Sequence, residues 1–264
     1  MDILQSIILG FIQGTTEWLP VSSTAHLKIT EYFFGLATTP LFNLVLHLGT
    51  LFVVLFYFRK DVKNILVSLG HRDFASESGM LIPRIVIATV PTAIIGIGYD
   101  LFLQDNMETL AIIGVTFLIG ATIVYTTKFA KENVEGLPYR TVLLMGTAQG
   151  FAVFPGLSRS GVTISMALLL GLKRDKAFKF SFLLSIPAIL GDLTVEAYAQ
   201  RGQFSSGGFG VAEALGGVLV AAVAGYFALK LVSRVVQSKK FQYFAFYTWA
   251  LGIALLILTL GLHY

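Results

Sequence analysis

The chain contains no cysteine, and this absence removes several kinds of chemistry at once. Disulfide bonds, thiolate metal sites and cysteine nucleophiles are all excluded. Charge is also scarce, because only 13% of the 264 residues are charged, against about 25% in an average soluble domain. Together with a hydrophobic content of 55%, this composition is typical of an integral membrane protein and excludes a water-soluble fold.

Other features are missing as well. No polar stretch is long enough for a separate soluble domain, so we expect one membrane domain over residues 1–264. The N-terminus lacks a basic region and an A-x-A cleavage site, so it is interpreted as part of the mature protein. The net charge of +4 comes from Lys and Arg in short loops between apolar runs. That arrangement is typical of membrane topology signals, and no nucleic-acid partner is expected.

Six apolar segments have the length of about 20 residues that a membrane-spanning helix needs, and none alternates like a β-strand. They lie at about 40–58, 82–102, 108–127, 177–197, 211–233 and 242–262. Two further apolar stretches, 2–34 and 139–171, are interrupted near their middles by Pro20 and Pro155. Because each half is too short to span, both stretches are predicted to be re-entrant helical hairpins. Broken backbone at that depth requires surrounding protein or a wet cavity.

The two interrupted stretches resemble each other. The corresponding segments are Gln13-Gly14 with Gln149-Gly150, and Pro20-Val21-Ser22-Ser23 with Pro155-Gly156-Leu157-Ser158. Each half of the chain, about 1–130 and 138–264, therefore contains one hairpin followed by three predicted spans. Three crossings is an odd number, so the second half is predicted to be inverted. Inverted repeats with paired broken helices mark a site near the membrane midplane.

Positive charge predicts the orientation. In the six-span arrangement, four groups of Lys and Arg fall on one side, which makes that side cytoplasmic. The groups are Arg59, Lys60, Lys63, Arg72 and Arg84; Lys128, Lys131 and Arg140; Lys173, Arg174, Lys176 and Lys179; and Lys230, Arg234, Lys239 and Lys240. The opposite loops hold Asp100, Asp105, Glu108 and one cation, Arg201. Both termini and the opening of the first hairpin are therefore expected to face outward.

The first hairpin concentrates groups that are costly in a membrane unless they are paired or functional. Gln13 and Glu17 are four residues apart, so they share one helix face. Ser23 and His26 share a face of the following helix, and the turn at Pro20 brings Glu17 toward them. Ser22 and Thr24 are further hydroxyl groups beside them. Structural alternatives remain open for three of these residues: Ser22 as a helix cap, His26 as an interfacial histidine, and Glu17 at a wet membrane edge.

The second hairpin has the composition of an anion site. A helix is predicted to begin near Ser158, and a helix N-terminus offers free N–H groups and a positive dipole end. Arg159 adds a forked charge suited to phosphate oxygens. Ser158, Ser160 and Thr163 add hydroxyl donors. The alternative is a pore-lining Arg159 that simply pairs with Glu17.

Segments 13–26 (QGTTEWLPVSSTAH) and 155–163 (PGLSRSGVT) resemble the two signature motifs of the undecaprenyl-diphosphate phosphatase family of the bacitracin-resistance type. The resemblance covers nearly the whole chain, including segment 47–50 (HLGT). It implies a membrane enzyme that cleaves a polyprenyl diphosphate to the monophosphate and phosphate, with a divalent cation, Mg²⁺ or Ca²⁺. By matching position it assigns catalytic and substrate-binding roles to Glu17, Ser23, His26 and Arg159, with Glu17 as the metal ligand. Ser158 and Thr163 fall on phosphate-contacting positions.

The chain departs from that family at one place, because Gln13 stands where the family usually has Glu. An amide can orient phosphate or coordinate a metal weakly, but it cannot act as a base. Either Ser23 or His26 remains a candidate for the nucleophile. If Ser23 attacks, His26 is expected to be the base and Glu17 to orient it.

A different class of function stays open, namely a transporter or flippase of a phosphorylated lipid or anion. Inverted repeats with broken helices favour transport, whereas the group of Glu17, Ser23 and His26 favours hydrolysis. The expected setting is the plasma membrane, with the active site facing outward and the lipid carrier recycled for envelope synthesis. Membrane lipids are expected neighbours, and the sequence leaves a homo-oligomer open. His47 and Asp192 have no assigned role beyond packing or supporting contacts.

Overall fold

The structure is a computed structural model that describes residues 1–35, 38–104, 107, 109–201 and 209–261. Within these ranges the regular secondary structure is helical, apart from an isolated bridge between Val134 and Leu172. The helices are α1 Ile3–Trp18, α2 Ser23–Phe34, α3 Pro40–Tyr57, α4 Arg59–Gly70, α5 Leu81–Phe102, α6 Leu110–Thr126, α7 Tyr139–Phe151, α8 Arg159–Leu169, α9 Arg174–Ala199, α10 Val211–Gln237 and α11 Phe244–Gly261. Short 3₁₀ segments at Thr127–Phe129 and Phe241–Tyr243 extend α6 and precede α11.

Six helices in the described part of the chain are long and apolar enough to cross a membrane, which confirms the prediction. They are α3, α5, α6 with its 3₁₀ extension, α9, α10, and α11 with the segment before it. The α9 helix starts at Arg174 and α10 continues to Gln237, so both reach beyond the predicted apolar segments. The turn added to α9 is charged throughout, with Arg174, Asp175 and Lys176, and the turn added to α10 begins at Arg234, so the predicted apolar segments stopped at these charges. Residue 262, Asp105 and Glu108 lie outside the described residues.

Both interrupted stretches are broken where the sequence predicts. Residues 19–22 separate α1 from α2, and residues 152–158 separate α7 from α8. In the second turn Gly156 adopts φ +101°, a conformation that residues with a side chain rarely adopt. The longest of these four helices, α1, has 16 residues, fewer than a bilayer span requires. The re-entrant course of the two hairpins stays a prediction.

The interrupted helices pack tightly on spans of the opposite half of the chain. Helix α1 lies along α10, where a Cβ added to Gly10 would overlap the backbone of Gly217. Helix α7 lies along α5 in the same way, with Gly146 against the backbone of Ala88. Gly10 and Gly146 each stand three residues before the glutamine of their hairpin, so the contacts of the two halves are reciprocal. Small residues allow such close approach in membrane helix pairs. The inverted repeat itself stays a prediction.

The four basic groups lie at one end of the bundle, which we call the basic end. Lys179 pairs with Asp61 at 2.5 Å and joins the third group to the first. Glu132, next to the second group, lies 2.9 Å from Arg174 and 3.7 Å from Lys239. These ion pairs connect all four groups, as the predicted topology requires. Which aqueous compartment the basic end faces stays a prediction.

One helix was missed from the sequence. The segment between the first two spans was expected to be a charged loop, but it contains α4. Val62 and Ile65 of this helix pack against the hydrophobic core, while the side chains of Arg59, Lys60 and Lys63 are exposed. The amphipathic spacing of a 12-residue helix was hidden by its high charge. The helix therefore carries part of the first basic group on an ordered element.

Candidate active site

A single carboxylate, that of Glu17, forms the centre of the predicted site. It lies near the end of α1, and its side chain is only 2% exposed. Polar side chains from four helices surround it. The contacts are Gln13 Nε2 of α1 at 3.1 Å from Oε2, Ser23 Oγ of α2 at 2.7 Å from Oε2, His47 Nε2 of α3 at 3.8 Å from Oε2, and the Arg159 guanidinium of α8 on Oε1.

Arg159 joins the second hairpin to the first. Its ion pair with Glu17 bridges 142 positions of the sequence. The guanidinium also donates to the Ser185 carbonyl oxygen at 3.4 Å and lies 6.0 Å from the centre of the Trp18 ring. The pairing expected of a pore-lining arginine is therefore present, but it occurs within the cluster that also holds Ser23. Because a guanidinium has five N–H donors, these contacts leave others for a ligand.

Access to the cluster is uneven. The Arg159 side chain is 20% exposed and the His47 side chain 21% exposed, whereas Glu17 is almost fully covered. A ligand that enters the cluster therefore meets the guanidinium and the imidazole first. The Glu17 carboxylate lies behind these two side chains, with 2% of its side chain exposed.

His26 is oriented differently from the prediction. Its Nδ1 lies 2.7 Å from the Ser22 carbonyl oxygen, which can only accept, so Nδ1 carries the proton. In the neutral ring Nε2 then accepts from the Tyr247 hydroxyl at 2.7 Å. Within the described residues no hydrogen bond joins His26 to Ser23 or Glu17. The hydrogen bond expected between Glu17 and His26 is replaced by a direct one from Ser23 to Glu17.

Three serines that were predicted to bind substrate join the two turns in this structure. Ser22 Oγ accepts from the Gly156 N–H at 3.1 Å. Ser158 Oγ donates to the Leu19 carbonyl oxygen at 3.2 Å, and Ser160 Oγ donates to the last carbonyl of α1 at 3.0 Å. All three serines are buried. These bonds fix the start of α8 against the end of α1, and with it the position of Arg159 beside Glu17.

The starts of α2 and α8 are built differently. Ser158 caps α8 by accepting from the Gly161 N–H at 3.2 Å, which places the helix start where the sequence predicts. Ser22 stands at the N-cap of α2 but makes no side-chain cap, so the capping alternative for Ser22 is not what the structure shows. Its backbone is also unusual, with φ +68°. Within the described residues, the Ser22 side chain therefore leaves the first N–H groups of α2 uncapped.

The remaining predicted binding residues lie at different depths. Thr163 is fully buried, donates to the Arg159 carbonyl oxygen at 2.7 Å and shares a hydrogen bond with Ser181. These hydrogen bonds connect the first turn of α8 to α9 on the side that is buried in the protein. Thr24 is exposed at the start of α2. Gln13 is fully buried beside Glu17.

Two further residues belong to this region: His47, for which the sequence left packing or a supporting contact, and Tyr247, which sequence reasoning missed. His47 Nε2 lies 3.8 Å from Glu17 Oε2, a distance at which a protonated imidazole forms an ion pair, and an ionisable residue inside a span is the signal that singled it out in the sequence. Tyr247 carries no such signal. It becomes relevant only because α11 packs beside α2 and places its hydroxyl on His26.

The donors around Glu17 fit a cation that is shared with a substrate. Within the described residues no group of three or more His, Asp or Glu side chains forms a metal cluster. Gln13 Oε1, however, is buried without a hydrogen-bond partner beside the Glu17 carboxylate. Mg²⁺ commonly takes only one or two carboxylates and completes its shell with substrate phosphates and water. An open site of this kind suits Glu17 and Gln13, and a closed all-protein site does not.

Comparison with known sequences finds one matching family model and relatives that share one name. The family described as bacitracin resistance protein BacA matches residues 6–254. A relative from Carboxydothermus hydrogenoformans, named undecaprenyl-diphosphatase, is 37% identical over 265 residues and covers 98% of each chain. Proteins of the same name from Korarchaeum cryptofilum and Desulfosudis oleivorans are 37% and 40% identical. These alignments cover 98% and 96% of this chain, and 100% and 97% of the two relatives.

Proposed function

The chain belongs to the bacitracin-resistance family BacA, and from that membership and the site around Glu17 we infer that it is an undecaprenyl-diphosphatase. It is a membrane hydrolase that removes the terminal phosphate of a polyprenyl diphosphate and so returns a lipid carrier to envelope synthesis. One observation carries the link between family and chemistry. A fixed cation of the second hairpin, Arg159, meets an acid and a hydroxyl of the first, Glu17 and Ser23, in one buried cluster.

The terminal phosphoryl group binds between the two helix starts. Arg159 offers a forked pair of N–H donors to two phosphate oxygens. The uncapped N–H groups at the start of α2 add backbone donors at the positive end of a helix dipole. The prenyl tail extends toward the lipid along the apolar surface between spans. Most of the rate acceleration in phosphoryl transfer comes from this kind of positioning and charge stabilisation.

Ser23 is the nucleophile that the geometry favours, because its hydroxyl already donates to Glu17 at 2.7 Å. Ser23 Oγ attacks the terminal phosphorus, the bond from phosphorus to the bridging oxygen breaks, and the polyprenyl monophosphate leaves. The serine proton passes to Glu17. Water then attacks the phosphoserine, the bond from phosphorus to Ser23 Oγ breaks, Glu17 returns the proton to the serine, and one proton of the water leaves with the phosphate. Arg159 holds the charge of the transferred group throughout.

A divalent cation would be held by Glu17 and the amide oxygen of Gln13, with Mg²⁺ or Ca²⁺ as the candidates. Its chemical contribution is to neutralise charge on the phosphate oxygens. Gln13 donates to Glu17 through Nε2 and directs Oε1 into the same buried region. His47 is the additional ionisable group at the exposed edge of the cluster.

The test of the reaction is phosphate release from undecaprenyl diphosphate by purified protein, with and without a chelator. We expect release that depends on a divalent cation. A transporter would move the lipid without releasing phosphate, and the reciprocal packing of the two halves would suit that role. If the diphosphate stays intact after prolonged incubation with protein that binds it, transport is favoured and hydrolysis is contradicted.

The chain is a multi-pass membrane protein, and we place its basic end in the cytoplasm with the active site opening outward. The support is the clustering of all four basic groups at one end. The test uses sealed vesicles of known orientation with substrate in one leaflet. Phosphate should appear on the outer side, and its appearance only on the cytoplasmic side would overturn the orientation.

A further inference from the structure

A cavity of about 600 Å³ opens at the basic end, and none of its lining residues belongs to the Glu17 cluster. It lies where the end of α6, the start of α9 and the end of α10 meet. Five cationic side chains line it, together with the carboxylate of Glu132 and the amide of Gln242. The cations are Lys128, Lys131, Lys173, Arg174 and Lys239. We call this space the basic cavity.

The positive charge of the basic cavity is only partly balanced. Glu132 serves two of its cations, with Arg174 Nε at 2.9 Å and Lys239 Nζ at 3.7 Å. Lys173 pairs with Glu135 at 2.6 Å, outside the lining. Lys128 and Lys131 make no ion pair within the described residues. The lining thus holds one carboxylate, that of Glu132, and five cations, and this excess of positive charge favours an anionic ligand.

Part of the cavity wall is held rigidly. Arg174 is only 6% exposed, and it donates to Glu132 and to the Val236 carbonyl oxygen at 3.4 Å. The N-cap residue of α9, Lys173, makes no side-chain cap, so the first N–H groups of a 26-residue helix lie at the same place, with Asp175 in the first turn. Arg174 is thus held in one position inside the cavity, whereas the lysine side chains around it are long and can change conformation.

The rim of the cavity has the composition of a membrane boundary. The Lys128 ammonium lies 5.0 Å from the centre of the Tyr125 ring and 5.2 Å from that of Phe129. Phe129, Tyr243 and Phe246 are 67%, 59% and 53% exposed. Exposed aromatic rings beside ammonium groups are typical of the headgroup level of a bilayer. A ligand that enters from the membrane edge would pass these rings.

We propose that the basic cavity binds a phosphate group carried by an anionic membrane lipid. The headgroup phosphate lies among Lys131, Lys239 and Arg174, and the acyl chains lie along the exposed aromatic rings. Basic pockets between membrane helices recognise anionic headgroups in this way. A soluble phosphate would meet the same charges but would gain nothing from the rings.

The experiment compares two double variants of the full-length protein in nanodiscs. Lys131→Gln with Lys239→Gln removes two cavity charges. The matched control, Lys60→Gln with Lys63→Gln, removes two exposed charges of α4 at the same end of the molecule. Binding of spin-labelled phosphatidylglycerol against a phosphatidylcholine background is measured for each, with inorganic phosphate as a competitor. We expect the cavity variant to lose about tenfold or more in lipid affinity, because each lysine near the surface contributes to anionic lipid binding.

Every outcome of this comparison decides something. Loss confined to the cavity variant, without displacement by inorganic phosphate, supports the lipid site. Equal loss in both variants would mean unspecific attraction to a basic surface and overturns it. Loss in neither variant also overturns it. Competition by low concentrations of inorganic phosphate, with the same dependence on Lys131 and Lys239, overturns the lipid as the occupant and assigns the cavity to soluble phosphate. Hydrolysis at Glu17 is measured alongside to show that both variants are folded.

Discussion

The two hairpin turns have related sequences but differently formed helix starts. In the second, Ser158 caps α8 by accepting the Gly161 N–H, and Gly156 absorbs the positive φ. In the first, a serine takes the unusual conformation, because Ser22 has φ +68° and leaves α2 without a side-chain cap. Such a conformation costs about 1–3 kcal/mol and is typical of functional sites. The second turn therefore closes the start of its helix with a side chain, whereas the first leaves the N–H groups at the start of α2 uncapped and places the Ser23 hydroxyl on Glu17.

The acid and the cation of the site are also divided between the two hairpins. Under the predicted correspondence, Val153 occupies the place of Glu17, and Thr24 occupies the place of Arg159. The first hairpin thus has the acid and the second has the cation. Neither hairpin forms the site alone, which explains why the serines between the turns are committed to holding them together.

The largest effect is expected from the two serines that correspond in the predicted repeat, Ser23 and Ser158, because their hydroxyl groups have different roles. Ser23→Ala removes the hydroxyl that donates to Glu17 and should lower kcat/KM by about 10⁴-fold or more, as loss of a nucleophile does. Ser158→Ala at the corresponding position removes a helix cap and should cost about 1–2 kcal/mol of stability with a much smaller loss of rate. Phosphate release and thermal unfolding measure the two effects.

The chemical stability of the trapped intermediate separates the two candidate nucleophiles. Substrate labelled in its terminal phosphate should leave a label on the wild-type protein that survives acid and is lost in alkali, as phosphoserine does. An acid-labile label that persists in Ser23→Ala would identify His26 as the nucleophile. No label under any quench would indicate direct attack by water and would refute the covalent route.

Exchange of the cation of the second hairpin should have the next largest effect. Arg159→Lys keeps the charge but loses the fork that pairs with Glu17 and with phosphate, and we expect a loss of about 10³-fold in kcat. Arg140→Lys is the control, because Arg140 is exposed at the start of α7. Near-normal turnover of Arg159→Lys would show that bidentate phosphate binding is wrong.

The two buried glutamines allow a smaller and more specific comparison. Gln13→Glu adds a carboxylate beside Glu17 and should tighten binding of Mn²⁺ by about tenfold, because ligand charge sets cation affinity. Gln149 is 4% exposed and lies near Thr92 and the Leu184 carbonyl. Gln149→Glu should leave Mn²⁺ affinity unchanged and cost about 3 kcal/mol of stability, because it buries an unpaired charge.

Electron paramagnetic resonance of Mn²⁺, with Mg²⁺ as competitor, gives the affinity independently of catalysis. Equal tightening in both variants would place the cation elsewhere. No tightening in Gln13→Glu would remove Gln13 from the proposed ligand set. Thermal unfolding of the same samples tests the expected cost of the buried charge in Gln149→Glu.

Much of the fold followed from the sequence because it depends on local properties. Hydropathy and length are properties of each segment, so the six spans could be located, and Pro20 and Pro155 located the two breaks. Helix α4 was missed because its charge masked a short amphipathic pattern. The meeting of Arg159 with Glu17 was predicted from the repeat and from the family resemblance, and no local property of either segment indicates it.

The rest of the site depends on packing between distant helices. His47 approaches Glu17 because α3 lies against α1, and Tyr247 reaches His26 from α11 across 221 positions. No spacing along the chain encodes those contacts. For the same reason the sequence could place His26 near Ser23 but could not say that both ring nitrogens are already engaged.

The smallest expected effect concerns Tyr247, and its sign is informative. Tyr247→Phe removes the hydroxyl from His26 Nε2 but keeps the ring, which stacks on the imidazole at 5.8 Å. If His26 positions the start of α2, the loss of one hydrogen bond of about 1 kcal/mol should lower kcat about fivefold. If His26 were the nucleophile, the tyrosine would occupy the attacking lone pair, and Tyr247→Phe should raise the rate. Tyr243→Phe is the control, because Tyr243 is exposed on the segment that leads into the same helix. Initial rates for both variants, with the acid stability of the trapped label, distinguish the two roles: a faster variant with an acid-labile label would overturn the assignment of Ser23.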